Sequence, residues 1–399
     1  MVNTRRNQTH SIMKKLLFTL IIISILTGCK SEKEENKMVI DQLPLNAYFQ
    51  QSDLPAAIMG YSSREGKMRW YAFGPSVWGG KDTINENNIF RIKSMTKAIA
   101  SVAALQLVEQ GLIGLDDPLD ELMPEMTTIP ILTKEGVLVE AKNSITLRNL
   151  LTHTAGFGFE FMNPRLQEFD KSGWKYDDLP RLFEVGTQWQ YGTNLDWIGK
   201  IIEKISGQDL ETYLRTNVTG PLKMNSTWFN VPENLQDNIV SWGTRDSTGF
   251  QEHPRLPAEP VIEYSAGGGL FGSPKNYLTF LKCMLNNGKY DGGQILNSET
   301  VKLMFKNQLP NGLTLNSGGK SMESDTHGLA WAIEDSEDEL VRSKGSAYWI
   351  GLANSYFSLD KEKDIAIVYF TNFFPFGDKE TVDFYRLFEK EVYISLKTK

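Results

Sequence analysis

The chain has 399 residues, of which 41% are hydrophobic and 23% are charged. This composition is typical of a globular protein that is long enough to bury a large core. The formal net charge is −7 and the chain contains no run rich in lysine and arginine, which argues against a surface that binds nucleic acid.

An export signal is predicted near the N-terminus. Lys14 and Lys15 precede an apolar run from Leu16 to Leu26, which is too short for a comfortable membrane span. The run closes with LTGC, ending at Cys29, and this boundary resembles a bacterial lipobox. The resemblance implies cleavage before Cys29 and a diacylglycerol anchor on its thiol. An ordinary signal peptide with an incidental cysteine is the alternative.

These patterns divide the chain into a signal peptide at residues 1–28, a polar flexible tether at 29–43 and a folded domain at 44–397. The expected location is the bacterial cell envelope, anchored to a membrane and facing the periplasm or the exterior. Apart from Cys29 the chain has only Cys283, so no internal disulfide is expected. Cys283 has apolar neighbours, which predicts a buried structural thiol.

The folded part begins and ends with predicted strands. The segments PAAIMGYSS and KMRWYAFG flank a turn at 64–66 and predict a hairpin. Near the C-terminus SYFSLD and DIAIVYFTN predict two more strands, followed by a helix from Glu380. Between them, helices are predicted for SMTKAIASVAALQLVEQ and for residues 195–205, 210–216 and 274–286. This order predicts one sheet built from both ends of the chain, with a helical lobe inserted.

Three common site patterns are unsupported. The chain has no G-x-S-x-G motif, and its histidines form no zinc-binding pattern, since they stand at positions 10, 153, 253 and 327. GGGLFG, residues 267–272, matches G-x-G-x-x-G, but the preceding VIEYSA is a poor strand and no βαβ pattern surrounds it. We therefore expect neither a metal nor a dinucleotide or other cofactor.

The segment FRIKSMTKAIAS places Ser94 three residues before Lys97 at the start of an apolar helix. Positions i and i+3 share a helix face, so the two side chains are expected to be neighbours. A serine hydroxyl is a poor nucleophile until a base takes its proton, and a lysine kept neutral by apolar surroundings can do so. The alternative is structural, with Ser94 as an N-cap and Lys97 in solvent. The four-residue motif does not decide between them.

Further segments of the chain resemble the serine β-lactamase and penicillin-binding-protein superfamily, in its class C-like branch with esterase and acyltransferase relatives. The resemblance runs from about residue 44 to 376 and rests on ITLRNLLTHTAGF, VGTQWQYGTNLDWIGKIIEKISGQ, SAGGGLFGSPKNYLTFLKCMLNNG, SAYWIGLANSYFSLD and IAIVYFTNFFPFGD. It implies an α/β fold of the α+β type, β-lactamase/transpeptidase-like, with an antiparallel sheet flanked by helices and an inserted all-helical lobe.

The resemblance also implies a role for each matching residue. Ser94 would be the acylated nucleophile, and Lys97 and Tyr191 would share the general-base and general-acid work. The backbone N–H groups of Ser94 and Leu352 would form the oxyanion hole. His153 would be a structural loop histidine.

Two motifs depart from the pattern of this superfamily. The second motif is usually Tyr-x-Asn but reads YGTN, so either Thr193 replaces the substrate-binding asparagine or Asn194 supplies it from one position later. The third motif is usually Lys-Thr-Gly in members that recognise penicillin. The preferred alignment places Trp349, Ile350 and Gly351 there, with Trp349 and Gly351 as substrate-binding residues, and KGS, beginning at Lys344, is the alternative.

The sequence thus predicts a serine hydrolase that forms an acyl-serine intermediate, as a carboxylic-ester hydrolase or acyl transferase with a small-molecule ester or acyl substrate. The alternatives are a D,D-peptidase or β-lactamase, and a non-catalytic binding protein on the same fold. A tryptophan in the third motif favours a neutral ester, because β-lactams carry a carboxylate that the third-motif lysine usually binds.

Overall fold

The computed structural model describes residues 39–310, 312–315, 326–336 and 341–397. The predicted signal peptide, Cys29 and most of the tether lie outside the described residues, so these assignments stay predictions. Within the described ranges, no helix combines the length and the apolar character that a membrane span requires. Cys283 is a buried free thiol, as predicted, and burial raises its pKa to about 12.

The α-helices of the described residues are α1 (Leu43–Gln51), α2 (Thr96–Glu109), α3 (Pro124–Thr127), α4 (Leu147–Leu151), α5 (Pro164–Glu168), α6 (Asn194–Ser206), α7 (Leu210–Leu214), α8 (Pro274–Leu285), α9 (Ser298–Met304) and α10 (Lys379–Lys397). Short 3₁₀ segments occur at Lys93–Met95, Glu160–Met162 and Glu233–Asn238.

The strands are β1 (Ala57–Ser62), β2 (Arg69–Phe73), β3 (Phe90–Arg91), β4 (Ile131–Leu132), β5 (Leu138–Val139), β6 (Trp242–Asp246), β7 (Gly249–His253), β8 (Phe271–Gly272), β9 (Lys289–Tyr290), β10 (Gly293–Gln294), β11 (Thr326–His327), β12 (Ala332–Ile333), β13 (Ala347–Gly351), β14 (Ser355–Asp360), β15 (Ile365–Phe370) and β16 (Phe373–Phe374).

The main sheet has seven strands in the order β11-β12-β13-β14-β15-β1-β2, and every neighbouring pair is antiparallel. The two ends of the chain meet where β1 pairs with β15, with Ile58 opposite Phe370 and Tyr61 opposite Ile367. Helices α2 to α9 lie between β2 and β11 in the chain. The predicted α+β fold, a sheet built from both ends with helices inserted, is confirmed.

Alternate residues of the central strands face two separate cores, as the period of a strand requires. Met59 and Ile367 lie in the core beneath α1 and α10, together with Phe384 of α10. Ile58 and Val368 face the opposite, larger core, which continues into the helical lobe. Because both faces are covered, β1, β14 and β15 are buried along their whole length.

Local sequence signals mark most element boundaries correctly. The predicted hairpin is β1–β2, and α8 begins with Ser273 as its N-cap, accepting a hydrogen bond from the Asn276 N–H. The helix predicted at 210–216 is shorter than expected. The α-helix ends at Leu214, and a single π-helical turn, Arg215–Thr219, follows it.

Candidate active site

Ser94 lies in the 3₁₀ turn that leads into α2, and it is not the helix N-cap. That position belongs to Met95, which makes no side-chain capping bond. The turn is held from two sides: the Ile92 N–H donates to the Leu270 carbonyl at 3.1 Å, and the Tyr277 hydroxyl donates to the Met95 carbonyl at 2.9 Å. The structural interpretation of Ser94 as a helix N-cap is therefore wrong.

Lys97 lies one turn further along α2 and is completely buried. Its Nζ atom is 3.2 Å from Ser94 Oγ, so the predicted neighbourhood of the two side chains is confirmed. Nζ also donates to the Gly267 carbonyl at 2.5 Å. This second contact places the amine beside the hydroxyl. In the described part of the chain Lys97 forms no ion pair with a carboxylate. The alternative of a solvated Lys97 is wrong.

Tyr191 reaches the same point from the loop before α6. The Lys97 Nζ atom lies 4.7 Å from the centroid of its ring, and its hydroxyl is buried without a protein hydrogen-bond partner. Gly192 makes this position possible, because a Cβ atom there would lie 2.2 Å from the Phe157 carbonyl oxygen. The structure therefore brings together the predicted triad of Ser94, Lys97 and Tyr191.

Strand β13 forms another side of the site, next to the turn that carries Ser94 and the loop that carries Tyr191. Trp349 lines the cavity and packs against Tyr191, with 5.4 Å between ring centroids. Gly351 contributes close packing rather than a lining surface, because a Cβ atom there would lie 2.6 Å from the Ile92 carbonyl oxygen. Leu352, the second predicted oxyanion donor, lines the cavity together with Ser94. Lys344 is exposed in the turn before β13, so the structure supports the alignment with tryptophan.

Ser94, Tyr191, Trp349 and Leu352 border a cavity of about 710 Å³, whose described lining is mainly aromatic and aliphatic. The sequence prediction missed most of this lining. The missed residues are Lys93, Phe159, Phe161, Met162, Tyr176, Trp189, Gln190, Asp196, Ser265, Gly267, Gly268, Gly269 and Phe376. The available sequence signals were the aromatic-rich stretch GFGFEFM and the glycine run GGG, which was set aside as a false dinucleotide motif.

Comparison with known proteins agrees with this geometry. The profile of the Beta-lactamase family matches residues 58–391. The chain belongs to the beta-lactamase family. Its relatives there include the monacolin J acid methylbutanoyltransferase of Aspergillus terreus, 31% identical over 343 residues that cover 76% of this chain and 81% of that protein. The lovastatin esterase of Penicillium rubens is 28% identical over 256 residues, covering 58% and 62%.

A solved structure extends the similarity to three dimensions. Unliganded simvastatin synthase from Aspergillus terreus matches with a TM-score of 0.79 and 27% identity, covering 90% of this chain and 99% of that chain. The β-lactamase/transpeptidase-like fold predicted for this family member is confirmed. The chain is an enzyme of the serine hydrolase type.

The second family motif is arranged differently from either predicted form. Asn194 is buried, and its Nδ2 lies 3.0 Å from His153 Nδ1 and 3.3 Å from the Phe157 carbonyl. Thr193 donates weakly to the Asp177 carbonyl at 3.4 Å. Neither residue is among the described residues that line the cavity. Both side chains therefore hold neighbouring loops, and the structure assigns neither of them the predicted contact with substrate.

A pair of buried histidines supports the aromatic wall. His153 and His327 lie with 5.7 Å between ring centroids, and His153 stacks on Trp349 at 6.3 Å. Burial, together with the charges of His327 and Lys97, lowers the pKa of His153 well below its usual range, and burial lowers that of His327 to about 4. Both rings are therefore neutral at pH 7. The hydrogen bonding of the His153 ring is confined to Nδ1, and its structural role stays a prediction.

Proposed function

We propose that this protein transfers acyl groups from carboxylic esters through a covalent ester of Ser94, either to water as an esterase or to an alcohol as an acyltransferase. The observation that carries the proposal is the 3.2 Å contact between Lys97 Nζ and Ser94 Oγ beside an apolar cavity. An acyltransferase and an esterase among the relatives support the same class of reaction.

In the first half-reaction Ser94 Oγ attacks the ester carbonyl while Lys97 Nζ, assisted by the Tyr191 hydroxyl, takes the serine proton. The oxyanion that forms is stabilised by the backbone N–H groups of Ser94 and Leu352. Collapse of this intermediate breaks the bond to the alkoxide, which receives a proton from the same lysine and tyrosine. The products of this half-reaction are an alcohol and the acylated Ser94.

In the second half-reaction the incoming nucleophile is water or a second alcohol. Lys97 and Tyr191 accept its proton as its oxygen attacks the acyl carbonyl, and the proton returns to Ser94 Oγ as the acyl group leaves. The aromatic lining formed by Phe159, Tyr176 and Trp349 favours an apolar acyl group or alcohol, because burying apolar surface contributes about 25 cal/mol per Å².

The choice between an ester and a β-lactam provides the first test. Purified protein should hydrolyse 4-nitrophenyl butanoate with a kcat/KM well above that for a chromogenic cephalosporin. The physical reason is Trp349, which offers an apolar wall and one N–H donor where a lysine would bind the cephalosporin carboxylate. A hydrogen bond to a charged group contributes about 1.5–3 kcal/mol, so its absence lowers specificity by one to two decades.

Two variants complete this comparison. Trp349→Ala should lower ester turnover, because it opens the wall that packs against Tyr191. Lys344→Ala changes an exposed side chain and should leave turnover as it is. A higher kcat/KM for the cephalosporin than for the ester would instead indicate the alternative function, a β-lactamase or D,D-peptidase.

We also propose that Cys29 carries a lipid anchor that holds the protein in a bacterial cell envelope, facing the periplasm or the exterior. The proposal rests on the LTGC boundary behind an apolar run. Cys29→Ala should release the protein from membranes or stall its processing, as seen by immunoblotting of membrane and soluble fractions. Cys283→Ala is the matched control, because that thiol is buried in the fold. Unchanged fractionation of Cys29→Ala would contradict the anchor.

A further inference from the structure

Asp196 is the only carboxylate in the described lining of the cavity, and the proposed reaction assigns it no role. Its Oδ1 atom accepts hydrogen bonds from Ser265 Oγ at 2.5 Å and from the Gly267 N–H at 3.0 Å, which join the start of α6 to the loop before β8. Its second oxygen, Oδ2, accepts no hydrogen bond from the described residues. A Cβ atom at Gly267 would lie 2.4 Å from Oδ2, so the glycine makes room for this oxygen.

The charge of this carboxylate has no counter-ion in the described part of the chain. No lysine, arginine or histidine there forms an ion pair with Asp196. Lys93 is the other charged residue of the described lining, but its Nζ atom lies 5.6 Å from the centroid of the Trp242 ring, and Trp242 is not part of that lining. Because Asp196 is partly buried, a cation supplied by a ligand would stabilise it.

Aromatic rings of the cavity wall lie close to this carboxylate. Phe159 stacks on Phe161 and on Tyr176, with 5.2 Å and 6.3 Å between ring centroids, and all three residues line the cavity. Burial and the negative charges of Asp196 and Glu160 raise the pKa of the Tyr176 hydroxyl to about 12, so the field of Asp196 reaches this ring. The faces of aromatic rings attract cations within about 6 Å, and aromatic cages bind quaternary ammonium groups. A carboxylate and stacked aromatic rings therefore meet in one cavity.

We propose that Asp196, together with the rings of Phe159 and Tyr176, binds an ammonium group of the substrate close to the scissile ester. The inference rests on the proposed function and adds its substrate class: esters that carry a cationic ammonium group in the alcohol or the acyl part. Gly267 sets the distance from the reacting atoms, because its carbonyl accepts a hydrogen bond from Lys97 Nζ and its N–H donates to Asp196. A single residue thus separates the carboxylate from the proposed base, and an ammonium a few bonds from the ester carbonyl would reach it.

Two pairs of esters that differ in one charged atom test the proposal and show which part of the substrate carries the cation. In the first pair, butanoylcholine and 3,3-dimethylbutyl butanoate have nitrogen or carbon at the same position of the alcohol part. In the second pair, the 4-nitrophenyl esters of 4-(trimethylammonio)butanoic acid and 5,5-dimethylhexanoic acid differ in the same way in the acyl part. The wild-type protein should prefer the cationic ester in at least one pair. In that pair Asp196→Asn should lower the preference, the ratio of the two kcat/KM values, by about tenfold, because it removes the attracting charge.

The variants separate charge from structure. Asparagine has the shape of aspartate and keeps an Oδ1 acceptor for Ser265 and Gly267, and a merely structural defect would slow both esters of a pair alike. Asp177→Asn is the matched control, because Asp177 is paired with Lys200 and lies outside the described lining, so it should leave the ratio unchanged. Thermal unfolding verifies that each variant is folded. The proposal would be overturned by a preference for the neutral ester in both pairs, by a change of less than about threefold in Asp196→Asn, or by an equal change in Asp177→Asn.

A binding measurement makes the inference independent of turnover. Trp189 and Trp349 line the cavity, so ligand binding can be followed by tryptophan fluorescence in Ser94→Ala protein. Choline should change the fluorescence at lower concentration than 3,3-dimethylbutan-1-ol, and the added Asp196→Asn change should remove this difference. If the wild-type protein hydrolyses none of the four esters, the proposed function fails and this comparison alone decides on the ammonium site. Choline binding that is no tighter than that of the neutral alcohol, or that Asp196→Asn leaves unchanged, would then overturn the site.

Discussion

Ser94→Ala should abolish covalent labelling by a fluorophosphonate probe and reduce ester turnover to the background rate. Ser94 lines the cavity and its Oγ lies 3.2 Å from Lys97 Nζ, so the change removes the hydroxyl that is placed beside the buried amine. In serine hydrolases, loss of the nucleophile typically lowers kcat by roughly 10⁴–10⁶-fold, because binding and oxyanion stabilisation alone remain. Gel fluorescence after probe treatment and steady-state kinetics with 4-nitrophenyl butanoate measure the two effects.

A second serine on the same helix provides the matched control. Ser101 is buried in α2, where its Oγ donates to the Ala98 carbonyl at 2.8 Å. Ser101→Ala removes a hydroxyl of the same kind from the same helix, yet it should leave labelling intact. Labelling of Ser94→Ala at the wild-type level would place the nucleophile elsewhere and refute the acyl-serine mechanism.

Lys97→Met and Tyr191→Phe should each lower kcat by about 10²–10⁴-fold, the contribution expected of a positioned general base or acid. Methionine preserves the length and the apolar stem of the buried lysine, and phenylalanine preserves the ring that packs against Trp349. Each change therefore removes the proton-transferring atom with little change in packing. Steady-state kinetics with the short ester, together with probe-labelling rates, measure the loss in the acylation step.

The double variant Lys97→Met/Tyr191→Phe shows whether the two residues act together, because the losses in kcat of residues that act as a unit do not add. Because Lys97 Nζ lies over the Tyr191 ring and beside Ser94 Oγ, the double variant should lose little more than the more damaged single variant. Lys200→Met, which removes a partly exposed lysine paired with Asp177, should keep kcat within about twofold. A loss smaller than tenfold in Lys97→Met would mean that another group takes the serine proton.

Much of the fold was predictable because its signals are local. β14 and β15 are recognisable as short apolar runs around a polar turn, and α8 begins with a serine cap followed by proline. The terminal helix α10 presents Phe384 and Phe388 to the core at the expected helical spacing. These features depend on residues within one turn or one strand, so residues that are close in the sequence are sufficient to predict them.

The candidate triad was also accessible from the sequence, but by a different route. Ser94 and Lys97 are close because the helix makes i and i+3 neighbours, which needs no knowledge of the rest of the molecule. Tyr191 is almost a hundred residues away, and only the resemblance to a family indicated its place. Local geometry and family resemblance together predicted the candidate triad. They did not predict the residues that surround it.

Those surroundings depend on contacts between distant segments. The Lys97 amine donates to a carbonyl 170 positions away, at Gly267, and the Asn194 amide contacts the ring of a histidine 41 positions away, at His153. A hydrogen-bonding side chain has several possible partners, and which one it meets depends on how the elements pack.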